Sequence, residues 1–246
     1  MSLQGKTAVV TGAGSGIGRA IALQLARDGA AISVWDLNGD SAAQTADMIR
    51  IEGGTALALA VDASKRSDIE TAADKTRAEF GPITVLVNNA GISSFIPMME
   101  LTEEVFDRTI SVNLKGVFLC CQIILPDMLQ AGWGRIINIS SSSVQTGASN
   151  MAHYVASKGG VLGLTRALAM EFAAKNITVN NVPPGFIDTP MLRESPIDVD
   201  AHAAAMPMKR AGKPEDIAAA CSYLASEAAS YVTGQTIGVN GGRYLT

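Results

Sequence analysis

Cysteine and histidine are scarce in this sequence: 3 of the first and 2 of the second among 246 residues. Cys120 and Cys121 are adjacent in an apolar, helix-like run and Cys221 lies in another, so they read as buried thiols of a reducing compartment, not as a disulfide framework. The same scarcity leaves no ligand set for zinc, and no metal is expected. Positive charge is in short supply too. With 19 Lys and Arg against 23 Asp and Glu, the formal net charge is −4, without the basic footprint of a nucleic-acid binder. Neither a charged and apolar leader nor an apolar run of membrane-spanning length is evident. A soluble, cytoplasmic protein is expected, with neither nucleic acid nor membrane as partner. Repeats, linkers and low-complexity tracts are also missing, while 48% of the residues are apolar, enough for one large core. A single domain spanning 1–246 is expected.

What the sequence does contain is a regular alternation. Short, apolar, often β-branched runs at 7–11, 31–35, 56–61, 83–87, 135–139, 178–182 and 236–239 are separated by helical patterns at 19–27, 41–52, 102–130 and 154–172, with further helices opening near Ser67 and Pro214. This order predicts an α/β fold, a Rossmann-type doubly wound parallel sheet of about seven strands with helices on both faces. Segment 186–212 mixes prolines and charges with Ile187, Met191, Leu192, Met206 and Met208. Its length and weak patterning suggest a lid over a site.

The first strand runs into Gly12-Ala13-Gly14-Ser15-Gly16-Ile17-Gly18 and then a helix. Glycines there allow a tight turn close to a pyrophosphate, and the helix offers its free N–H groups and positive dipole end. Gly12, Ser15, Gly16, Ile17 and Gly18 are therefore candidate cofactor contacts. The second strand ends at Asp36, placed to accept from ribose hydroxyls and to repel a 2′-phosphate. Neither Ser15 nor Leu37 supplies a cation for such a phosphate, so NAD (NADH) is expected over NADP. Asp62, with Ala63 beside it, stands at the end of the third strand, positioned to reach an adenine or to cap the next helix. Asn88-Asn89-Ala90-Gly91 forms another small, polar turn at the same sheet edge, with Asn89, Ala90 and Gly91 as further contacts. Tyr154 and Lys158 occupy positions i and i+4 of a helical stretch and share a face. A cation beside a phenol favours phenolate, which makes an acid/base of the tyrosine; a packed ring with a solvated amine is the alternative reading of the pair alone.

Together these motifs resemble the short-chain dehydrogenase/reductase family over nearly the whole chain. Thr11-Gly12-x-x-x-Gly16-x-Gly18 is similar to its cofactor loop, Asn88-Asn89-Ala90-Gly91 to its sheet-stabilising turn, and Tyr154-x-x-x-Lys158 to its catalytic pair. The 3-oxoacyl-[acyl-carrier-protein] reductase-like branch is the part of the family that the chain looks most like. The resemblance implies Asn113, Ser141, Tyr154 and Lys158 as catalytic residues. Tyr154 would be the acid or base, Ser141 a second donor to the reacting oxygen, Lys158 a partner of the nicotinamide ribose, and Asn113 the anchor of a proton-passing water. It also implies a nicotinamide-holding segment at Pro184, Gly185, Ile187 and Thr189, and a homotetramer. Pro183 departs from the family pattern, and is expected to stiffen the strand end and reshape the pocket wall.

The activity implied is NAD(H)-dependent interconversion of a secondary alcohol and a ketone. A cofactor-binding sensor or scaffold without catalysis is the alternative. Ser141, Ser143, Gln145, Tyr154, Phe186 and Met191 are the substrate-contact candidates, with Ser93, Phe95, Val144, Met151, His153 and Met206 as further wall residues. His153 could reach substrate, but a place on the helix surface is the simpler expectation. No fixed cation is obvious in that set. A neutral cyclic, aromatic, steroid-like or 3-oxoacyl substrate is therefore expected.

Overall fold

A computed structural model describes residues 2–245, so the two ends of the expected 1–246 domain lie outside the described residues. In chain order the elements are β1 (Thr7–Thr11), α1 (Gly16–Arg27), β2 (Ala31–Asp36), α2 (Gly39–Ile51), β3 (Ala56–Ala60), α3 (Arg66–Phe80), β4 (Ile83–Asn88), α4 (Glu103–Ile110), a π-helical turn (Ser111–Lys115), α5 (Gly116–Ala131), β5 (Gly134–Ile139), α6 (Ser143–Thr146), α7 (Ala152–Phe172), β6 (Ile177–Val182), α8 (Pro190–Arg193), α9 (Val199–Ala205) and α10 (Pro214–Ala225). The six strands form one parallel sheet in the order β3-β2-β1-β4-β5-β6.

Alternation along each strand assigns its side chains to two cores. Val10, Val34, Val87 and Ile137 face Ile21 and Leu25 of α1, Ile49 of α2 and Leu224 of α10. Val9, Leu86, Ile136 and Val179 face Ile69 of α3, Ile124 and Met128 of α5 and Val161 of α7. Because both faces are covered, the strands are apolar throughout, as in other parallel sheets. Each such side chain taken fully from water contributes about 1.5–3 kcal/mol.

Three expectations change here. The sheet has six strands, not about seven. The stretch expected as the last strand pairs with β6 only through isolated bridges, Asn181 with Thr236 and Pro184 with Val239, and Gly238 between them has no side chain to hold it on a pleated surface. Next, one helical run, Glu103–Ala131, is long and apolar enough to cross a membrane by length and composition, contrary to the expectation from the sequence. Its apolar stretch is 56% buried, since α5 packs on α3, β4 and β5. Finally, that run is not one continuous α-helix. The π turn at Ser111–Lys115 adds a residue to the turn and carries Asn113 on the widened stretch.

Strand order reverses between β1 and β4, and the loops leaving their C-terminal ends diverge there. Such a crevice is where open α/β sheets bind ligands.

Candidate active site

A cleft of about 580 Å³ opens along this edge of the sheet. At the switch point the two turns brace each other. Thr11 Oγ1 accepts from the Asn89 and Ala90 backbone N–H groups, both at 3.0 Å, and Asn89 Nδ2 donates to the Thr11 and Gly12 carbonyls, also at 3.0 Å. Gly12 has φ +62°, and a β-carbon on it would sit 2.8 Å from Ala90 Cα, so only glycine lets the turns approach this closely. Ser15 ends the loop in extended conformation without capping α1 through its side chain, and the first turn of α1 holds no acidic residue. The positive end of the helix is thus left for an anion.

Asp36 closes the loop from the side. Its Oδ2 accepts from Gly14 N at 2.8 Å and its Oδ1 from Asn38 N at 2.9 Å. Further along, Asp62 accepts from the Ser64 N–H at 3.0 Å and from its hydroxyl at 2.6 Å, with Arg108 at 4.0 Å. Burial alone would raise the pKa of Asp62, but the Ser64 hydrogen bonds and the charges of Arg108 and Lys65 outweigh it and leave the carboxyl below its usual value.

At the other end, α7 carries Tyr154 and Lys158. The Lys158 ammonium is 5.9 Å from the centre of the Tyr154 ring, donates to the Ile139 carbonyl at 2.9 Å, and is almost wholly buried. Burial lowers its pKa from 10.5 to about 8. Burial likewise raises the Tyr154 pKa, and a hydrogen bond from Ser141 works against that rise. Ser141 Oγ in turn accepts from the Ser143 hydroxyl at 2.9 Å and from its N–H at 3.2 Å, which fixes the serine run in register. Asn113 does not border the cleft. Its Oδ1 accepts from Ile92 N at 2.8 Å while its Nδ2 donates to Ile92 O at 2.9 Å and to Ser157 Oγ at 3.1 Å. It thus clamps the loop after β4 to α7. A β-carbon on Gly91 would stand 3.3 Å from both Asn113 Oδ1 and Lys158 Nζ, so the glycine keeps those two groups in reach of each other.

The remaining candidates fall on both sides. Gly12, Ser15, Gly16, Ile17, Gly18, Asp36, Leu37, Asp62, Ala63, Asn89, Ala90, Gly91, Pro184, Gly185, Ile187 and Thr189 all border the cleft, as do Ser141, Ser143, Tyr154, Lys158, Phe186 and Met191. Gln145 does not: it is exposed on α6, which turns it away. Pro183 is buried and outside the lining, so it shapes the strand end and not the wall. His153 is fully buried, not on the helix surface. Its Nε2 lies 2.8 Å from Ser94 Oγ, its Nδ1 has no partner, and burial lowers its pKa. Residues the sequence did not flag include Trp35 and Val61 near Asp36, and His202, which stacks on Phe186 with centroids 5.5 Å apart. Arg108, beside Asp62, and Arg243 also line the cleft; neither belongs to the wall set in which no fixed cation was obvious. Among the described residues there is no cluster of three or more metal-ligating side chains.

Residues 12–243 match a family model described as enoyl-(acyl carrier protein) reductase. A 3-oxoacyl-[acyl-carrier-protein] reductase FabG of Staphylococcus epidermidis is 42% identical over 242 residues, 98% of this chain and 99% of that one. The Thermotoga maritima FabG is 41% identical over 246 residues, with 98% and 99% covered. Among solved structures, a short-chain type dehydrogenase/reductase from Mycobacterium marinum superposes with a TM-score of 0.95 at 36% identity, covering 100% of this chain and 98% of that one. These relatives overturn one expectation. FabG reductases depend on NADPH, so a preference for NAD over NADP does not stand. In the structure Asp36 has a bracing role of its own, since one oxygen accepts from Gly14 of the glycine turn and the other from Asn38, so its presence at the strand end does not by itself report the cofactor.

Proposed function

This chain belongs to the short-chain dehydrogenase/reductase family, and is an oxidoreductase; we propose that it reduces a ketone of 3-oxoacyl type to the secondary alcohol, with Tyr154 as the proton donor. The observation that carries this reading is the meeting of Tyr154, Ser141 and Lys158 at one end of a cleft whose other end is the Gly12–Gly18 turn. Among the substrate types weighed from the sequence, the names of the relatives favour the 3-oxoacyl one.

The cleft suits a nicotinamide dinucleotide: a glycine turn against Ala90, a helix N-terminus without acids, and a buried ammonium at the far end. Gly12, Ser15, Gly16, Ile17 and Gly18 would hold its phosphates. Asp36, Leu37, Asp62 and Ala63 would flank its adenosine, and Asn89 to Gly91 with Pro184, Gly185, Ile187 and Thr189 would hold the nicotinamide half. When bound, the dinucleotide supplies or accepts the hydride.

The chain itself places and moves the proton. Burial pushes the Tyr154 phenol above the ordinary tyrosine value, which favours its protonated form, the one that donates to a carbonyl oxygen. The Ser141 hydroxyl holds the same oxygen from a second side as it gains negative charge. Lys158, charged below about pH 8, lowers the cost of phenolate after the proton leaves, and would also hold the ribose of a bound dinucleotide. Asn113 acts from behind, by fixing the position of Ile92 and α7 and by standing beside Lys158 where a water could carry protons outward. Segment 186–212, with α8 and α9, serves as the lid; Phe186, Ile187, Leu192 and Ile197 make its inner surface apolar.

The protein works in the cytoplasm as a homotetramer. Buried free thiols support a reducing compartment, and the apolar side chains left exposed on α5 and α7, such as Phe118, Leu129 and Met170, support self-association. The deciding experiment is a spectrophotometric screen of NADPH and NADH oxidation across acyl thioesters, steroids, and cyclic and aryl ketones. Turnover that falls by about a thousandfold in Tyr154→Phe is expected; full turnover in that variant would remove Tyr154 as the acid.

A further inference from the structure

Five acidic or basic side chains of Asp, Lys and Arg line the cleft: Asp36, Asp62, Arg108, Lys158 and Arg243. Four of them are already committed. Asp36 holds its own loop, Arg108 faces Asp62 at 4.0 Å and donates to Ser64 Oγ at 3.1 Å, and Lys158 is tied to Ile139. Among the described residues, Arg243 is the one cation of the lining without a hydrogen-bond or acidic partner for its guanidinium.

Its position is built, not accidental. Gly185 N donates to Val239 O at 2.9 Å, so the turn that follows Val239 is latched onto the segment leading to Phe186. Asn240 then ties that turn together. Its Oδ1 accepts from Gly242 N at 2.8 Å, its Nδ2 donates to Tyr244 O at 3.3 Å, and its carbonyl accepts from Arg243 N at 3.1 Å. Gly241 and Gly242 both have positive φ, at 61° and 80°, which makes a tight turn that holds Arg243 at the cleft. Asp188 of the lid pairs with Arg193 at 2.6 Å and Asp216 of α10 with Arg210 at 3.0 Å, and no acid of segment 186–212 lines the cleft. Both acids that line the cleft belong to the dinucleotide end.

We propose that Arg243 is a specificity-determining residue that pairs with an anionic group that the substrate carries in addition to the reacting ketone. An unpaired, solvent-exposed guanidinium on a hydrogen-bonded turn bordering an apolar lid is suited to a carboxylate or phosphate, which it can meet with two parallel N–H donors. Two sources carry that chemistry: the carboxylate of a free 3-oxo acid, or the 4′-phosphate of a pantetheine thioester. The inference rests on the ketone-reducing reading above, and it replaces the expectation of a wholly neutral substrate.

The test compares two pairs of probes that differ in the anion: acetoacetate with methyl acetoacetate, and acetoacetyl-pantetheine 4′-phosphate with acetoacetyl-pantetheine. Each is assayed for turnover and titrated calorimetrically into protein saturated with oxidised dinucleotide, where no reduction occurs. In one pair the anionic member is expected to be favoured by about tenfold or more, chiefly in KM. Arg243→Gln abolishes that preference and leaves the neutral member unchanged, while Arg243→Lys keeps part of it. The pair that responds identifies the source of the anion. Equal treatment of both members in both pairs, or a preference that survives Arg243→Gln, would overturn the inference. If no probe is turned over, the reductase reading falls, and the calorimetric preference still decides the fate of Arg243.

Discussion

Lys158 Nζ is hydrogen-bonded at 2.9 Å to the carbonyl of Ile139, the last residue of β5. Helix α7 is thereby pinned to the C-terminal end of β5 by a buried cation, and this costs stability. The folded pKa of about 8 lies below the ordinary 10.5, so between those values the unfolded chain binds more protons, and stability rises with pH through that window. The full difference is about 3 kcal/mol. Urea unfolding of the cofactor-free protein at several pH values should show the wild type gaining on Lys158→Met as pH climbs from about 8 to about 10.5. Parallel curves would mean that the ammonium is not desolvated as its burial implies.

Asn113 spends its whole amide on Ile92 and Ser157. Asn113→Ala leaves the Ile92 N–H and carbonyl without partners inside the protein, at a cost of about 3 kcal/mol. The urea midpoint should fall accordingly, and kcat should drop with it, since Ile92 borders the cleft.

Asp36→Ala should raise KM for NADH and NADPH alike. The carboxylate orders Gly14 and Asn38, so its loss loosens the loop whichever dinucleotide enters. A change confined to one cofactor would instead mean that Asp36 reads the ribose directly.

His202→Ala removes the ring stacked on Phe186 at 5.5 Å. An aromatic pair of this kind is worth about 0.5–1.5 kcal/mol, so KM for the ketone should rise by roughly two- to tenfold with kcat little changed. Steady-state kinetics at saturating cofactor would separate the two constants.

The parts of the site that could be read from the sequence are those written in consecutive residues. The Gly12–Gly18 turn, the Asn89–Gly91 turn and the Tyr154–Lys158 pair are local, because strand-to-loop transitions and i, i+4 spacing are properties of a short stretch. The misplaced residues depend on distant packing. Gln145 sits close to Ser143 in sequence, yet the short α6 turns it outward. His153 directly precedes Tyr154, and helical geometry puts neighbours on different faces, so one borders the cleft while the other is buried against Ser94. Arg243 becomes part of the lining only because the bridges from Asn181 and Pro184 fold residues 236–239 back onto β6. Asp36 borders the cleft, as its place at the end of β2 suggests, but the NAD preference drawn from it does not hold, since the carboxylate also braces Gly14 and Asn38 and those bonds are not written in the local sequence.

The π turn at Ser111–Lys115 sets the phase of everything before it against everything after it. Each residue of an α-helix advances about 100° around the axis, so one extra residue lets α4 present Arg108 to the cleft while α5 presents Ile124 and Met128 to the sheet. Deleting a single residue there would straighten the run into ordinary α-helix and rotate one half relative to the other by about that angle. Either the cleft would lose its wall or the core its covering, which makes the length of this turn as constrained as any side chain in it.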